Sequence, residues 1–207
     1  MSIATMSIAD GDPGTYETLI LGIGNVLWAD EGFGIRAVET LHAHYSFPED
    51  VRIIDGGTQG IFLVPWVTSA RRLLILDAVD FGLEPAELKV IHGADVPRFM
   101  GAKKMSMHQT GFQEVLAMAD LSGALPEQLA LVGVQPELLD DFGGSLTAGV
   151  KAQIDAAIDA SLSILDDWGV VYAPRGDRES ATERVGPAAI DINDYEQGRP
   201  LITGEPQ

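Results

Sequence analysis

The sequence predicts a single α/β domain built on a mixed sheet, and three observations support this fold class. Short apolar runs typical of strands alternate with longer segments of helical periodicity. The chain has 207 residues, 46% of them hydrophobic, which is enough for one domain with a real core. One connection between strands is too short for a crossover helix, so one strand must run antiparallel to the others.

Five strands are predicted, and the loop lengths decide their directions. They are assigned, in order, to residues 17–23, 51–57, 71–79, 86–93 and 128–137. The first strand runs into a glycine turn at Gly22 and Gly24, and the third is the most apolar. The third strand ends near Asp77 and the fourth starts near Glu87, so only about ten residues, with Gly82 and Pro85 among them, connect the two. The fourth strand is therefore predicted to be antiparallel and the other four parallel.

Four helices alternate with these strands. They are assigned to residues 30–45, 58–70, 108–123 and 147–169. The first has apolar residues at roughly helical spacing, and Pro65 predicts that the second is short or kinked. Gly123 ends the third helix and Gly169 ends the fourth, which is long and amphipathic. Residues 1–15 are predicted to be a flexible leader, 16–173 the domain, and 174–207 an acidic, mostly disordered tail.

The charge and composition of the chain limit the kinds of molecule that it can be expected to bind. The formal net charge is −18, from 31 acidic against 13 basic residues. We therefore expect no binding to nucleic acid or to anionic membrane, since both need basic surfaces. A cationic partner, a metal, or solubility alone would explain the acidity. The absence of cysteine excludes disulfides and thiolate metal sites. We find no signal peptide or transmembrane helix in the sequence and expect a cytoplasmic protein.

Chemically useful side chains follow strand ends that should meet at one edge of the sheet. Asp30 and Glu31 follow the first strand, Asp77 ends the third, and His108 lies near the start of the third helix. In an open α/β sheet, ligands bind outside the carboxyl ends of the parallel strands. Two carboxylates and an imidazole, Glu31, Asp77 and His108, can therefore converge there.

Each of these residues also has a purely structural interpretation. Asp30 is typical of a helix N-cap, and Glu31 could complement the dipole of the following helix. Asp77 could cap a turn, and His108 could be a satisfied residue at a helix start. Asp77 is the hardest to dismiss, because a carboxylate that ends an apolar strand is costly unless it is paired or binds a metal.

As a set, Glu31, Asp77 and His108 favour a divalent metal. Carboxylate and imidazole donors without thiolate suit a borderline ion such as nickel or zinc. The zinc-peptidase pattern H-E-x-x-H is absent, and "GGSLT" at 143–147 lacks the last glycine of a serine-hydrolase elbow. The sequence therefore shows no self-sufficient hydrolase motif.

The motifs of this chain resemble those of the endopeptidases that mature the large subunit of [NiFe] hydrogenases. The resemblance covers about residues 18–172. Its motifs are "LGIGNVLWADEGFGIRAVETL", "DGGTQG", "LLILDAVDFG", "MHQTGFQEVLA" and "LALVGVQPE", in that order. It implies a three-layer α/β/α fold with a five-stranded mixed sheet whose fourth strand is reversed, in agreement with the loop lengths. Peptidases of this family are often classed as aspartic-type.

The resemblance also implies a reaction and a site. The precursor of the large subunit carries a C-terminal extension, which the peptidase removes once nickel is in place. The nickel belongs to the substrate and is the feature recognised. The family's metal ligands correspond to Glu31, Asp77 and His108, which are also the best catalytic candidates. Substrate binding is expected at Asp55, Gly56, Gly57 and Thr58, and a monomer is expected.

Three alternatives remain open from the sequence. A nickel-dependent docking factor or chaperone could use the same residues without cutting the precursor. A dinucleotide-binding enzyme is disfavoured, because the third glycine of its loop is missing and Asp30 and Glu31 would repel phosphate. A peptidase with other substrates is disfavoured by the combined D-G-G-T and M-H-Q segments.

Overall fold

The computed structural model of the protein describes residues 14, 16–102, 107–176, 185 and 195. For residues 99–102 and 107–110 the backbone alone is described. Nearly all of the leader predicted at 1–15, and most of the tail predicted at 174–207, lie outside the described residues. Those two predictions therefore stay predictions.

A five-stranded mixed sheet forms the centre of the domain. The described residues form seven strands, five of them in this sheet: β1 (Thr18–Ile23), β2 (Tyr45–Ser46), β3 (Val51–Gly57), β4 (Arg72–Ala78), β5 (Leu88–His92), β6 (Gln128–Val134) and β7 (Ala173–Pro174). The central sheet has the order β3-β1-β4-β6-β5, and β2 and β7 form a separate antiparallel pair. Within the central sheet β5 is antiparallel to β6, and the other neighbours are parallel. The predicted reversal of the fourth long strand is confirmed.

Helices cover both faces of this sheet. They are α1 (Phe33–His44), α2 (Val64–Ser69), α3 (Asp95–Ala102), α4 (Met107–Leu121), α5 (Ala148–Lys151) and α6 (Ile154–Asp167), with 3-10 helices at Ala29–Gly32 and Gly60–Leu63. One core cluster joins the sheet to α2, α3 and α4, and the other joins it to α1, α5 and α6. The three-layer α/β/α class is confirmed.

Three details differ from the sequence-based assignment. Helix α3 was not predicted, because the segment after the fourth strand was expected to be a loop. Its Pro97 lies in the first turn, where proline is tolerated. The single helix predicted at 147–169 is divided into α5 and α6 at Ala152–Gln153, and nothing in the sequence marks this division. Strands β2 and β7 are too short to give a periodic signal.

The second helix is short, as Pro65 predicted. Residues 60–63 form a 3-10 turn, and α2 begins at Val64 with Pro65 in its first turn, where a missing N–H costs nothing. Within residues 16–102 and 107–176, the helices lack the length and hydrophobicity that a membrane span requires.

Candidate active site

The sheet order fixes where a ligand can enter. From β1 the chain passes to β3 on one side and then crosses to β4 on the other side of β1. The topological switch point therefore lies between the carboxyl ends of β1 and β4, the position at which α/β sheets of this type form their binding crevice.

Glu31 and Asp77 lie on the two chain segments that border this switch point. Glu31 is in the 3-10 helix that follows β1, and Asp77 is the penultimate residue of β4. Both side chains are buried, with 9% and 1% of their surfaces exposed. The 3-10 helix contacts β4, so the segments that carry the two carboxylates are neighbours.

Two glycines allow this close approach. A Cβ atom at Gly34, in the first turn of α1, would lie 2.1 Å from the carbonyl oxygen of Leu76. A Cβ atom at Gly24 would lie 1.8 Å from the carbonyl oxygen of Glu31, and Gly24 has a φ of +138°. The glycine turn therefore closes on the protein's own 3-10 helix, which explains its presence without a bound phosphate.

His108 is only partly located. It lies in the first turn of α4, one turn before Gly111. A Cβ atom at Gly111 would lie 3.5 Å from the Cα atom of Gly60, so the start of α4 borders the turn after β3. The side chain of His108 lies outside what the structure describes. No three His, Asp or Glu side chains form a metal-binding group among the described residues, and the Glu31–Asp77–His108 set stays a prediction.

Asp30 has a role that differs from the expected helix N-cap. Its side chain is fully buried and makes no cap to α1, whose N-cap residue is Gly32. Its Oδ2 accepts hydrogen bonds from the backbone N–H groups of Glu137 and Leu138, both at 2.9 Å. Its Oδ1 accepts the N–H of Thr147 at 2.7 Å, and the Thr147 hydroxyl donates to Oδ2 at 3.2 Å. Asp30 thus fastens the segment after β6 to the segment after β1.

The predicted substrate turn, Asp55–Thr58, comprises the last three residues of β3 and the residue after them, at the same edge. Asp55 Oδ1 accepts the N–H of Gly57 at 2.9 Å, and Gly57 has a φ of +46°. The carbonyl of Gly57 accepts the N–H of Gly24 at 3.2 Å, which ties the turn to the end of β1. Gly56 is buried against Leu21, whereas Thr58 is exposed. The turn offers exposed polar groups beside the switch point, and its binding role remains a prediction.

Burial raises the pKa of Asp55 above its ordinary value of 3.8, and two nearby groups oppose this rise. The N–H of Gly57 stabilises the carboxylate by a hydrogen bond, and the Arg36 guanidinium does so by its charge. Arg36 is itself buried, and it forms an ion pair with Glu39 at 2.9 Å. The ring of Tyr195 lies 6.0 Å from its guanidinium carbon.

This shift predicts a pH-dependent gain in stability for Asp55→Asn. When the pKa of a carboxyl group is higher in the folded state than in the unfolded state, the free energy of unfolding of the protein falls as the pH rises from the unfolded-state pKa through the folded-state pKa. At pH 7 the aspartate is charged and half-buried, so the neutral amide should unfold at a higher urea concentration. The gain should shrink as the pH falls through the folded-state pKa towards 3.8, and it should vanish below 3.8, where the aspartate becomes protonated in both states.

Urea unfolding of both proteins at several pH values measures this effect. Asp159→Asn, at an exposed position of α6, is the matched control and should change the midpoint little at any pH. A lower midpoint for Asp55→Asn at pH 7 would mean that its contacts with Gly57 and Arg36 outweigh the cost of burial.

Gln135 is a site residue that sequence reasoning missed. Its Oε1 accepts the N–H groups of Phe81 at 2.7 Å and Leu83 at 3.2 Å, and its Nε2 donates to Asp80 at 3.2 Å. It therefore holds the loop that follows Asp77 in the chain. The signal available in the sequence was a polar residue placed directly after an apolar run, in "LVGVQPE".

Fold and site together define an α/β protein with two buried carboxylates on the segments that border its switch point. The family model of hydrogenase maturation proteases (HycI) matches residues 35–164. The hydrogenase expression/formation protein HoxM of Azotobacter vinelandii is 57% identical over 182 residues, 88% of this chain and 86% of that protein. The hydrogenase 2 maturation protease of Escherichia coli K12 is 39% identical over 76% of this chain and 95% of that protein.

A solved structure agrees with these sequence relatives. The hydrogenase maturating endopeptidase HybD from E. coli superposes with a TM-score of 0.74 at 37% identity. The superposition covers 78% of this chain and 99% of that chain. The protein therefore belongs to the hydrogenase maturation protease family and is a hydrolase of the endopeptidase class.

Proposed function

We propose that this protein removes the C-terminal extension of a [NiFe] hydrogenase large-subunit precursor after nickel has been inserted. The observation that carries the proposal is the burial of Glu31 and Asp77 on the two segments that border the switch point. Membership of the maturation protease family supplies the reaction class.

The nickel is part of the substrate, and the carboxylates recognise it. Carboxylate and imidazole donors suit a borderline divalent ion, so Glu31, Asp77 and His108 would complete the coordination of a nickel that the precursor presents. Buried negative charge in the crevice favours a cation over a neutral or anionic ligand. Precursor without nickel would lose this contact and would be bound less well.

Hydrolysis then needs the scissile peptide beside the bound ion. The Asp55–Thr58 turn borders the same edge of the sheet and would hold the peptide through its polar groups. A cation near the scissile carbonyl would polarise it towards attack by water. Water adds to the carbonyl carbon, the C–N bond then breaks, and a proton from the attacking water passes to the leaving amine. We propose that the enzyme works as a cytoplasmic monomer, since the crevice must admit a folded precursor.

The intact mass of the precursor tests this function. The precursor is incubated with the protein, with and without nickel loaded, and its mass is followed over time. We expect loss of a short C-terminal peptide from the nickel-loaded form alone. Stable binding of precursor with no loss of mass would instead support the non-proteolytic docking factor, and equal trimming of both forms would contradict nickel recognition.

A further inference from the structure

An exposed apolar surface lies directly beside the candidate site. It is formed by Leu27, Trp28, Leu138 and Phe142, which we call the Trp28–Phe142 platform. Their exposed fractions are 38%, 36%, 42% and 67%. The rings of Trp28 and Phe142 meet edge to face, with centroids 5.3 Å apart. Apolar side chains exposed together in this way mark an interaction surface more often than isolated ones do.

The platform is rigidly built from two distant segments of the chain. Residues Trp28 and Phe142 form an antiparallel bridge, and the N–H of Gly143 donates to the carbonyl of Leu27 at 2.7 Å. The N–H of Asp30 donates to the carbonyl of Leu138 at 3.2 Å. The buried Asp30 carboxylate holds the second segment as described above. A surface that is already ordered loses little entropy when it binds a partner.

The platform is continuous with the site. Glu31 is the next residue after Asp30, and its N–H donates to the carbonyl of Trp28 at 3.0 Å. Trp28, Asp30 and Glu31 are thus within one turn of chain, with the first exposed and the other two buried. A protein that brings its reacting segment to Glu31 would cover the platform at the same time.

The charge around the platform selects among possible partners. Glu137 and Asp140 are exposed on the second segment, and neither 24–31 nor 136–147 contains a lysine or arginine. This acidic border disfavours an anionic membrane, and it disfavours a second copy of a chain whose net charge is −18. It favours a protein segment with apolar side chains flanked by basic ones.

We propose that the Trp28–Phe142 platform is the docking surface for the large-subunit precursor, and that it binds an apolar segment with basic flanks close to the scissile bond. This inference rests on the proposed function, which names the precursor as substrate. The platform binds and orients the precursor, and the carboxylates at the switch point recognise its metal. Aromatic residues at the centre of an interface commonly carry much of its binding energy.

The test compares precursor binding by the double variant Leu138→Ala/Phe142→Ala with binding by Leu121→Ala. Both change exposed apolar side chains, but Leu121 ends α4 at the opposite edge of the sheet and is 88% exposed. We expect the Kd for nickel-loaded precursor to rise about tenfold or more in the double variant. The kcat/KM for trimming should fall by the same factor. Leu121→Ala should match the unchanged protein in both measurements.

A charge variant tests the second half of the proposal. Glu137→Lys/Asp140→Lys should weaken binding further than neutral replacement with Gln at both positions, and added salt should weaken binding to the unchanged protein. Equal Kd values for all of these proteins would overturn the proposal. So would a fall in kcat/KM of the double variant without a change in Kd, because that pattern means that the platform only supports Glu31.

Two further outcomes separate this inference from its rivals. If the unchanged protein binds the precursor without trimming it, the proposed reaction is wrong, and the Kd comparison still decides the platform. If the double variant loses self-association in sedimentation while its precursor affinity is intact, the platform is a contact between copies of this chain and the proposal is wrong.

Discussion

Glu31→Gln is expected to lower the rate of precursor trimming at least about a hundredfold while leaving the protein folded. The amide has nearly the shape of the carboxylate but no charge, so the variant loses the attraction to the substrate nickel. A hundredfold loss corresponds to about 2.7 kcal/mol, which is within the range of one charged contact to a metal in a site shielded from water. Because glutamine keeps the size of glutamate and one of its acceptor oxygens, the variant should remain folded.

The matched control is Glu127→Gln, the same exchange at the opposite edge of the sheet. Glu127 is 67% exposed and pairs with Arg71 at 2.8 Å, a surface ion pair of little energetic weight. Its trimming rate and its urea midpoint should equal those of the unchanged protein. Trimming by Glu31→Gln at the unchanged rate would show that Glu31 does not face the metal, and the nickel-recognition proposal would lose its main support.

The parts of the site that could be predicted from the sequence depend on rules of chain topology. A loop of about ten residues cannot cross over, so β5 had to be antiparallel. Carboxyl ends of parallel strands share one edge, so Glu31 and Asp77 had to approach the same crevice. Neither inference needs a side-chain contact, because the direction and order of the strands already decide the outcome.

The parts that could not be predicted depend on contacts between residues far apart in the chain. Asp30 was expected to be a local N-cap, yet its partners lie 107 to 117 positions away. Gln135 bonds to groups 52 to 55 positions away in the loop after β4. The local sequence pattern shows that a polar residue is present, but it does not show which distant groups form hydrogen bonds with that residue. The exposed Trp28–Phe142 pair is hidden from sequence reasoning for the same reason.

Asp30→Ala is expected to be the most destabilising single change in this region, lowering the free energy of unfolding by about 3–5 kcal/mol. The carboxylate accepts three backbone N–H groups and one hydroxyl and is fully buried. Each buried donor left without its acceptor costs roughly 1–3 kcal/mol, and water can reach some of these donors at the surface of the segment, which limits the sum. Urea unfolding followed by circular dichroism measures the loss.

Asp140→Ala and Asp30→Asn test whether the lost hydrogen bonds cause the destabilisation. Asp140 is exposed on the same segment, and its removal should change stability by less than about 0.5 kcal/mol. Asp30→Asn keeps one acceptor oxygen and should lie between the alanine variant and the unchanged protein. If Asp30→Ala unfolded at the unchanged urea concentration, the carboxylate would not be what fastens the two segments. If it folds but loses stability, its precursor affinity should fall as well, because the segment that presents Leu138 and Phe142 would no longer be held beside Trp28.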